Sequence, residues 1–321
     1  MPNLPRLTIV VPTIGHSPVL GDCLKALTTD REIASEVVVV IDESLDAAEL
    51  LLGIPDRVIP VSPEAGFSAA CNAAICESET DSVAVVNDDV VVDPGWIEIL
   101  IATLENDSQV GAVQGVNLQL PQPKKIDGCG IAWNPYWQAI QVDHGSSHLP
   151  ESTTREVYGV SGTAAMYSRK ALAAASPRPH EMFDPVLHTY YEDVDLAGRL
   201  RSVGYRSELV PKAQAQHLGG ASSSRDANWR YRQIYGNRIL VLARLLGRSL
   251  WPRLAKIVWR DLIDLSIATT HGAYDKRRGI LAGWSRASRL FGKFSHRGPS
   301  LVPISVLHQF METREEGQDR R

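Results

Sequence analysis

The sequence is poor in cysteine, in long apolar runs and in the glycine motifs of common nucleotide-binding folds, and each absence excludes a class of protein. Only four cysteines occur in 321 residues, and no two of them form a C-x-x-C pair. A disulfide-built scaffold and a zinc knuckle are therefore disfavoured. No apolar run approaches the ~20 residues of a membrane-spanning helix, and the first residues lack a signal-peptide pattern. These absences predict a cytoplasmic protein.

Charge and glycine patterns exclude several further functions. The formal net charge of -4 at pH 7 gives no basic field of the kind that nucleic-acid-binding proteins usually carry, so no nucleic-acid partner is expected. The sequence contains neither the P-loop pattern G-x-x-x-x-G-K-[ST] nor a G-x-G-x-x-G turn after its first strand. The nucleophile elbow G-x-S-x-G is missing as well. P-loop enzymes, dinucleotide-dependent dehydrogenases and α/β-hydrolases are therefore disfavoured.

Short β-branched runs alternate with amphipathic segments in the first third of the chain. The predicted strands cover residues 7–11, 36–41, 58–61, 82–86 and 110–116, and the predicted helices cover 18–27, 68–77 and 94–104. The strand runs are continuously apolar, so the alternation predicts an α/β fold with a mostly parallel sheet flanked by helices. Ligands bind such sheets at the carboxyl ends of the strands. Those ends carry Pro12-Thr13, Asp42-Glu43 and Asn87-Asp88-Asp89, which should meet at one edge.

The middle of the chain is less regular, and its last third is helical. Residues 117–157 predict loops and short strands that form part of an acceptor surface. A strand with a glycine turn over 157–166, a helix over 193–203 and a strand over 206–210 follow. Residues 230–295 are predicted to be helical and are rich in Arg, Leu and Trp.

Three polar groups are candidates for metal binding or catalysis. Asn87-Asp88-Asp89 places oxygen ligands at a strand end, where Mg²⁺ is commonly held by one or two carboxylates plus substrate phosphates. The alternative is ordinary turn formation, which Asn and Asp favour. In residues 190–195, Y-Y-E-D-V-D, a carboxylate would act as a general base, or the acidic residues would only favour a helix start. His217 follows a strand and is either a metal ligand or a hydrogen-bonded structural residue.

The chain also carries an ordered series of short motifs. In chain order these are T-I-V-V-P-T from Thr8, V-V-V-I-D from Val38, G-F-S-A-A-C-N from Gly66, V-N-D-D-V from Val86, G-T-A-A-M from Gly162, Phe183-Asp184, E-D-V-D-L from Glu192, and His217. The ordered set resembles the family 2 inverting glycosyltransferases, in particular the rhamnosyltransferase-like branch that acts on cell-surface glycans. The resemblance covers residues 7 to about 240, and its specificity lies in the order of the motifs.

The resemblance implies a fold and a set of site residues. It implies a GT-A fold in which residues 1–228 form the catalytic domain, with a nucleotide-sugar-binding half (1–116) and an acceptor-binding half (117–228), and residues 229–321 form a helical C-terminal region. It implies that Pro12, Thr13, Asp42 and Glu43 lie near the base and ribose of the donor, and that Gly66, Phe67, Asn72, Asn87, Asp88 and Gly162 line the nucleotide-sugar site. It further implies Asp89, His217 and Asn87 as ligands of Mg²⁺ or Mn²⁺, Asp193 as the general base, and Glu192 as a residue that supports the base or positions the acceptor.

The implied reaction transfers a sugar from a UDP- or dTDP-sugar, with dTDP-rhamnose among the candidates, to a hydroxyl of a glycan or lipid-linked acceptor. Two residues depart from the family pattern: Asn87 replaces the first carboxylate of the D-x-D element, and Glu64 stands where the family often has Asn. A sugar nucleotidyltransferase would need a glycine-rich basic loop after the first strand, and the chain has P-T-I-G-H there. A non-catalytic GT-A-like glycan-binding or scaffold subunit is the other alternative. Asn87 favours it, while the joint presence of Asp89, Asp193 and His217 argues against it.

The C-terminal helices allow two interpretations. Their basic and tryptophan residues are Arg230, Arg232, Arg238, Arg244, Arg248, Arg253, Lys256 and Arg260, with Trp229, Trp251 and Trp259. Such a composition is typical of a helix that lies on anionic lipid, which would place the protein peripherally on the inner face of the cell membrane. The other interpretation is an amphipathic helix that packs on the catalytic domain.

Overall fold

A mixed sheet of ten strands forms the centre of the part of the chain that the structure describes. The structure is a computed structural model, and it describes residues 6–29, 33–51, 53–178, 181–219 and 226–312. The strands are β1 (Leu7–Thr13), β2 (Ser35–Asp42), β3 (Arg57–Val61), β4 (Ser82–Val86), β5 (Val90–Val92), β6 (Val110–Gln119), β7 (Ile126–Gly128), β8 (Ile131–Trp133), β9 (Ala139–Gln141), β10 (Arg155–Val157), β11 (Ala164–Ser168) and β12 (Arg206–His217). The helices are α1 (Leu20–Thr28), α2 (Ala47–Leu51), α3 (Gly66–Cys76), α4 (Trp96–Asn106), α5 (Arg169–Ala175), α6 (Glu192–Ser202), α7 (Ala227–Leu246), α8 (Trp251–Thr270), α9 (Tyr274–Phe294) and α10 (Ile304–Gln309).

The strand order is β10-β12-β6-β11-β4-β1-β2-β3, with β5 beside β12 and β7 beside β6. Strands β1 to β4 are parallel, and Leu7 of β1 is in register with Ser35 of β2 and Ser82 of β4. Strand β11 runs antiparallel between β4 and β6. The predicted α/β class and the parallel arrangement of the first strands are therefore confirmed. The small sheet β8–β9 forms a separate hairpin.

Helices cover both faces of the sheet because successive strand residues point to opposite sides. On one face, Ile9 and its alternate neighbours pack against the apolar sides of α1 and α4 in a fully buried cluster. On the other face, Val10 packs with residues of α3, α5 and α6. The α1 residues Leu20, Leu24 and Leu27 are buried together, as their helical spacing predicts.

Strand β12 is longer than predicted, and its extra length positions a candidate metal ligand. The sequence pattern predicts a strand over 206–210, but the pairing with β6 is interrupted by an irregularity between Leu209 and Gln214 and then resumes as far as His217. The last residues of β12 also pair with β5. The predicted strand over 157–166 is two strands, β10 and β11, joined by a turn. The sequence pattern does not predict four short elements, namely helices α2, α5 and α10 and strand β5, because each has too few residues to show a hydrophobic periodicity.

The C-terminal helices pack against the sheet domain and against one another. Glycines allow α7 and α9 to approach closely, since a Cβ atom on Gly236 would lie 3.0 Å from the carbonyl oxygen of Gly283. Arg244 forms ion pairs with Asp184 and Asp195 beside α6. The predicted domain boundary at residue 228 falls within the first turn of α7 and stays a prediction. None of the described helices is both long and apolar enough to cross a lipid bilayer.

Candidate active site

A cavity of about 660 Å³ opens where β1, β2 and β4 end. Most of the site residues predicted from the sequence line it: Pro12, Thr13, Asp42, Gly66, Phe67, Asn87, Asp88, Asp89, Gly162, Glu192 and Asp193. The polar clusters at separate strand ends therefore share one space, as the parallel sheet requires. Glycine is needed at position 66, where φ is +70° and a Cβ atom would lie 2.4 Å from the imidazole of His188.

Three of the predicted residues lie outside the cavity wall. Glu43 is exposed, and its backbone N–H donates to Val61. The buried amide of Asn72 donates to the carbonyl of Phe183 (2.7 Å) and accepts from its N–H (3.0 Å), so this side chain supports the chain that leads to α6. His217 does not line the cavity either, but its ring contacts the carboxylate of Asp89, which does.

Asp88 is hydrogen-bonded to the end of β1. Its carboxylate accepts a hydrogen bond from the hydroxyl of Thr13, and its carbonyl accepts one from Ser17 at 2.8 Å. Burial raises the pKa of Asp88 to about 6, although the Thr13 hydrogen bond opposes the shift; neighbouring Asp89 adds to it. These contacts fix the turn that carries Asp89.

The ring of His217 lies between Asp89, which lines the cavity, and Asp127. The Nε2 atom of His217 is 3.3 Å from Oδ1 of Asp89, and its Nδ1 atom is 2.8 Å from Oδ2 of Asp127. Burial alone would lower the pKa of His217, but the two carboxylates raise it to about 9. A carboxylate also orients one ring nitrogen of metal-bound histidines, and Asp127 has that position here, while the other nitrogen of His217 contacts Asp89.

The donor set fits a hard divalent cation that also binds a substrate. No group of three or more His, Cys, Asp or Glu side chains within the described ranges is arranged to hold a metal ion. Asp89 and His217 supply two donors, and Asn87 lines the cavity beside them. Mg²⁺ is usually held by few protein ligands together with substrate phosphates and waters, so a two- or three-ligand site is suited to a phosphate-bearing substrate.

Asp193 lies at the start of α6 with both carboxylate oxygens hydrogen-bonded to backbone. Oδ2 accepts from Gly162 N–H at 3.1 Å, and Oδ1 accepts from Val194 N–H at 2.8 Å. Burial raises the pKa of Asp193, whereas these two N–H groups lower it. The carboxylate is oriented, lines the cavity and remains partly exposed to it.

Glu192 is in a different environment from its neighbour. It is buried, and its Oε2 atom has no hydrogen-bond partner among the described residues. Burial raises its pKa well above the usual range, and the adjacent Asp193 raises it further. Burial and the neighbouring carboxylate thus favour the neutral form of Glu192, whereas the backbone N–H groups of Gly162 and Val194 favour the charged form of Asp193.

The loop before α6 has a strained backbone and is held by the C-terminal helices. His188, Tyr190 and Tyr191 have φ values of 66°, 69° and 70°, which non-glycine residues rarely adopt. The buried side-chain NH₂ of Asn237 in α7 donates to the carbonyls of residues 187, 189 and 190 at 2.7, 3.1 and 2.7 Å. Arg286 of α9 donates to Oδ1 of Asn237 and to the carbonyl of residue 186.

A family model described as "Glycosyltransferase like family 2" matches residues 5–236, most of the chain. The chain belongs to this family. The match confirms the resemblance drawn from the ordered motifs and makes the protein a glycosyltransferase.

Related sequences agree with this assignment. The glycosyltransferase is 26% identical over 251 residues to the N-acetylglucosaminyl-diphospho-decaprenol L-rhamnosyltransferase of Mycobacterium tuberculosis, covering 68% of this chain and 78% of that protein. It is also 27% identical over 238 residues to the uncharacterized protein y4gI of Sinorhizobium fredii, covering 69% of this chain. That match spans only 25% of the Sinorhizobium protein.

Solved structures confirm the GT-A fold. GalNAc-T7, solved with UDP, GalNAc and Mn²⁺, superposes with a TM-score of 0.54 at 15% identity, covering 67% of this chain and 43% of that chain. The mannosyltransferase PcManGT of Pyrobaculum calidifontis, solved with GDP-Man and Mn²⁺, gives a TM-score of 0.52 at 15% identity. That match covers 96% of this chain and 79% of the mannosyltransferase chain. The glycosyltransferase thus shares the fold of PcManGT along nearly its whole length and that of GalNAc-T7 along about two thirds of it.

Two residues that contact the surroundings of the cavity are not indicated by any sequence motif. Asp127 lies in β7, within the stretch of poor periodicity, and only the pairing of β7 with β6 brings it to His217. Asn237 stands in an apolar stretch of α7, where a fully buried amide is a signal that a polar partner must be near. The sequence does not tell which loop that partner belongs to.

Proposed function

We propose that this glycosyltransferase transfers a sugar from a nucleoside diphosphate sugar to a hydroxyl of a glycan or lipid-linked acceptor in cell-envelope polysaccharide synthesis, with inversion at the anomeric carbon. One observation carries the proposal: Asp193, oriented as a base, and Asp89, which contacts His217, line the same cavity. A UDP- or dTDP-sugar is the proposed donor. The rhamnosyltransferase relatives support dTDP-rhamnose as the first donor to test.

The donor binds at the strand ends. Pro12, Thr13 and Asp42 accommodate the base and ribose, and Gly66 with Phe67 forms the adjacent wall. Asp89 and His217, with Asn87 alongside, would hold Mg²⁺ or Mn²⁺, which would offset the charge that develops on the departing diphosphate. Both structural neighbours named above contain Mn²⁺, which supports a divalent cation.

Asp193 takes the proton from the acceptor hydroxyl. As the bond between the acceptor oxygen and the anomeric carbon forms, the bond to the diphosphate oxygen breaks, and a single displacement inverts the configuration. A carboxylate is a weak base toward an alcohol, but the proton leaves late, when an oxocarbenium-like carbon has drawn electron density from the oxygen. Burial favours the neutral form of Glu192, in which it adds no second negative charge beside Asp193 and so supports the base.

The decisive experiment is donor turnover by the purified protein. UDP-, dTDP- and GDP-sugars are incubated with Mn²⁺, Mg²⁺ or EDTA, and the released nucleoside diphosphate is measured. We expect metal-dependent release from one donor, loss of release in Asp89→Ala, and a roughly 10²- to 10⁴-fold loss of turnover in Asp193→Asn with nucleotide binding retained. Near-normal turnover in Asp193→Asn would show that another group is the base.

If no donor is turned over, a thermal-shift measurement shows whether the protein still binds a nucleotide. If no donor is hydrolysed, UDP, dTDP and GDP with Mn²⁺ are tested for stabilisation of the fold. Stabilisation by one nucleotide supports a transferase that needs its acceptor. If none stabilises the protein, the non-catalytic glycan-binding or scaffold interpretation is the better one.

The outward side of α8 supports a position on the inner face of the cell membrane. Trp251 and Trp259 are each 61% exposed and Ile267 is 46% exposed, with Lys256 on the same exposed side. Exposed tryptophans flanked by basic residues are typical of helices that lie on anionic lipid. By contrast, Arg238 and Arg244 are paired inside the protein, so these two residues contribute to packing.

Liposome co-sedimentation tests this position. We expect binding to vesicles that contain anionic phosphatidylglycerol at low salt, and loss of that binding in Trp251→Ala/Trp259→Ala. Leu149→Ala is the matched control, because Leu149 is 55% exposed elsewhere on the surface. No sedimentation of the wild-type protein at low salt would rule the membrane position out.

A further inference from the structure

A second pocket adjoins the active-site cavity, between the first turns of α7 and the middle of α9. Its volume is about 390 Å³. The residues of these helices that line it are Asn228, Trp229, Arg232, Ala282, Ser285 and Arg289. Positions 228 and 232, like positions 282, 285 and 289, are spaced by three or four residues and so share one face of their helix. We propose that this pocket binds an acidic sugar unit of the acceptor glycan through Arg232 and Arg289. The proposal rests on the transferase function given above.

Trp229 connects the pocket to the active-site cavity, because it lines both spaces. Its ring centre is 5.4 Å from that of His188 and 6.3 Å from that of Tyr190, so the indole lies against the strained loop before Asp193. The flat apolar face of an indole packs well against the C–H side of a pyranose ring. A glycan whose reacting unit occupies the cavity can therefore extend a neighbouring unit into the pocket.

Three arginines crowd this pocket. Arg232 and Arg289 line it, and the buried Arg286 lies three residues before Arg289 on α9. Arg286 donates to a side-chain amide oxygen and to a backbone carbonyl, which are both neutral acceptors. Burial lowers the pKa of Arg286, and the charges of Arg232 and Arg289 lower it further. Asp184 opposes the shift. The arginines that line the pocket thus repel the one beneath it, and an anion bound between them relieves that repulsion.

The carboxylates near these arginines are engaged elsewhere. Asp226 lies at the rim of the pocket, but its carboxylate accepts from a backbone N–H of the first turn at 3.0 Å and caps α7. Asp184 is paired with Arg244. Among the described residues, no carboxylate forms an ion pair with Arg232 or Arg289. One rim carboxylate therefore faces three guanidinium groups, whose paired N–H donors suit an oxyanion.

The other lining residues suit the remainder of a sugar. The amide of Asn228 and the hydroxyl of Ser285 can pair with sugar hydroxyls, and Ser285 accepts from Arg289 at 2.7 Å, which places this arginine beside it. No described residue of α8 lines the pocket, whereas the exposed Trp251 and Trp259 lie on that helix. A lipid surface at α8 therefore does not account for the pocket. An oxyanion on a hydroxylated ring does, and it is the chemistry of a uronic acid or a sugar phosphate.

Calorimetry with acidic sugars tests the pocket. The protein is first saturated with the nucleoside diphosphate that stabilises it and with Mn²⁺, so that the anion position of the donor is filled. Trigalacturonate and the glucuronate-containing tetrasaccharide of hyaluronan supply carboxylates, glucose 6-phosphate supplies a phosphate, and maltotriose is neutral. We expect an acidic probe to bind at least about 5-fold more tightly than maltotriose. Arg232→Gln and Arg289→Gln should each weaken that binding by about 3- to 15-fold.

The probes also identify the source of the charge. Binding of the uronates without glucose 6-phosphate assigns the anionic group to a carboxylate, and the reverse result assigns it to a phosphate. The affinity for maltotriose should be the same in wild type and in both variants, since a neutral sugar gains nothing from the two charges. Binding of the acidic probe should also weaken as the salt concentration rises.

Arg230→Gln is the matched control. Arg230 lies on the same helix two residues before Arg232, about 200° around the helix axis, and it does not line the pocket. Its guanidinium carbon is 5.3 Å from the ring centre of Tyr231. We expect the affinity for the acidic probe to stay within about 2-fold of wild type. Thermal unfolding confirms that each variant is folded, and the second pocket arginine keeps the test valid if one variant is not.

Three results would overturn the proposal: no acidic probe binds more tightly than maltotriose, neither pocket variant weakens the binding, or Arg230→Gln weakens it equally. A lipid role is recognised separately with vesicles that contain phosphatidylglycerol. If Arg232→Gln and Arg289→Gln lose vesicle binding while their affinity for acidic sugars is unchanged, the arginines contact lipid and the proposal is wrong.

Failure of the pocket and failure of the transferase function are distinguishable. Nucleotide-induced stabilisation and donor turnover of the wild-type protein report on the donor side alone. If both are present while the binding of acidic sugars is indifferent to Arg232 and Arg289, only the pocket assignment is wrong. If no nucleotide stabilises the protein, the transferase proposal fails, and calorimetry without nucleotide then shows whether the pocket binds an acidic glycan on its own.

Discussion

Replacing Asn237 with alanine should lower both the free energy of unfolding of this glycosyltransferase and its kcat. The amide holds three carbonyls of the strained loop before Glu192 and Asp193, and its oxygen accepts from Arg286. One NH₂ group supplies two hydrogens, so two independent hydrogen bonds and the Arg286 bond are lost. A buried carbonyl without its partner costs about 1–3 kcal/mol. We therefore expect the free energy of unfolding to fall by about 2–4 kcal/mol.

The same substitution should lower kcat more than it changes the KM of the donor. Left-handed residues cost about 1–3 kcal/mol each, and the loop holds three of them in four positions. Without Asn237 the loop can release this strain, and Asp193 directly follows it in the chain. A displacement of about 1 Å of a catalytic group can cost roughly 10²-fold in rate, so we expect a 10- to 100-fold loss of kcat.

Gln233→Ala is the matched control for this measurement. Gln233 lies one turn earlier on α7, is also buried, and donates a single long hydrogen bond of 3.4 Å to the carbonyl of residue 187. Steady-state kinetics and urea unfolding of both variants are compared. If Asn237→Ala loses stability but keeps kcat within about 3-fold of the control, the loop does not position Asp193, and the reasoning fails.

Three further changes test other parts of the site. Asp127→Asn should weaken Mn²⁺ binding about 10- to 100-fold, measured by calorimetry with nucleotide present, because His217 loses the carboxylate that orients its ring; an unchanged affinity would remove Asp127 from the metal site. Glu192→Gln should match wild type in stability below about pH 4.5, the ordinary pKa of a Glu carboxyl, and should become increasingly more stable than wild type as pH rises above it, because the unfolded chain then ionises Glu192 more readily than the folded protein does; parallel stability curves in urea titrations across pH would contradict a raised pKa of Glu192. Gly66→Ala should abolish nucleotide-induced thermal stabilisation, because its Cβ would overlap the ring of His188; normal stabilisation would show that the cavity wall adapts.

The part of the cavity at the strand ends is predictable from sequence because its residues follow local patterns. A continuous apolar run ends at Thr13, at Asp42 and before Asn87, and parallel strands bring their carboxyl ends to one edge without further information. Once those strands are recognised, the shared cavity follows. The placement of Asp193 at a helix start is likewise local, since acidic residues before an apolar period favour that position.

The supporting residues are not predictable in this way because they depend on contacts between distant segments. Asp127 and His217 are 90 residues apart in sequence, and they meet only because β12 continues past an irregularity to the end of β6. Asn237 donates to backbone carbonyls, which every residue has, so no residue type in the sequence identifies its partners. Neither residue belongs to a repeating pattern, so no period or spacing can indicate its partner.

The C-terminal helices illustrate why composition alone could not decide between packing and a surface role. Neighbouring side chains of α8 face three different environments. Asp261 is fully buried against Arg238, Arg260 lines the cavity, and Trp259 is exposed. These three residues lie within three consecutive positions, about 100° apart around the helix axis. A basic, tryptophan-rich helix can therefore pack on the catalytic domain, line the cavity and leave tryptophan exposed at once. If α8 lies on lipid as we propose, an acceptor attached to that lipid would reach the cavity from the same helix, since Trp259 is exposed and the next residue, Arg260, lines the cavity.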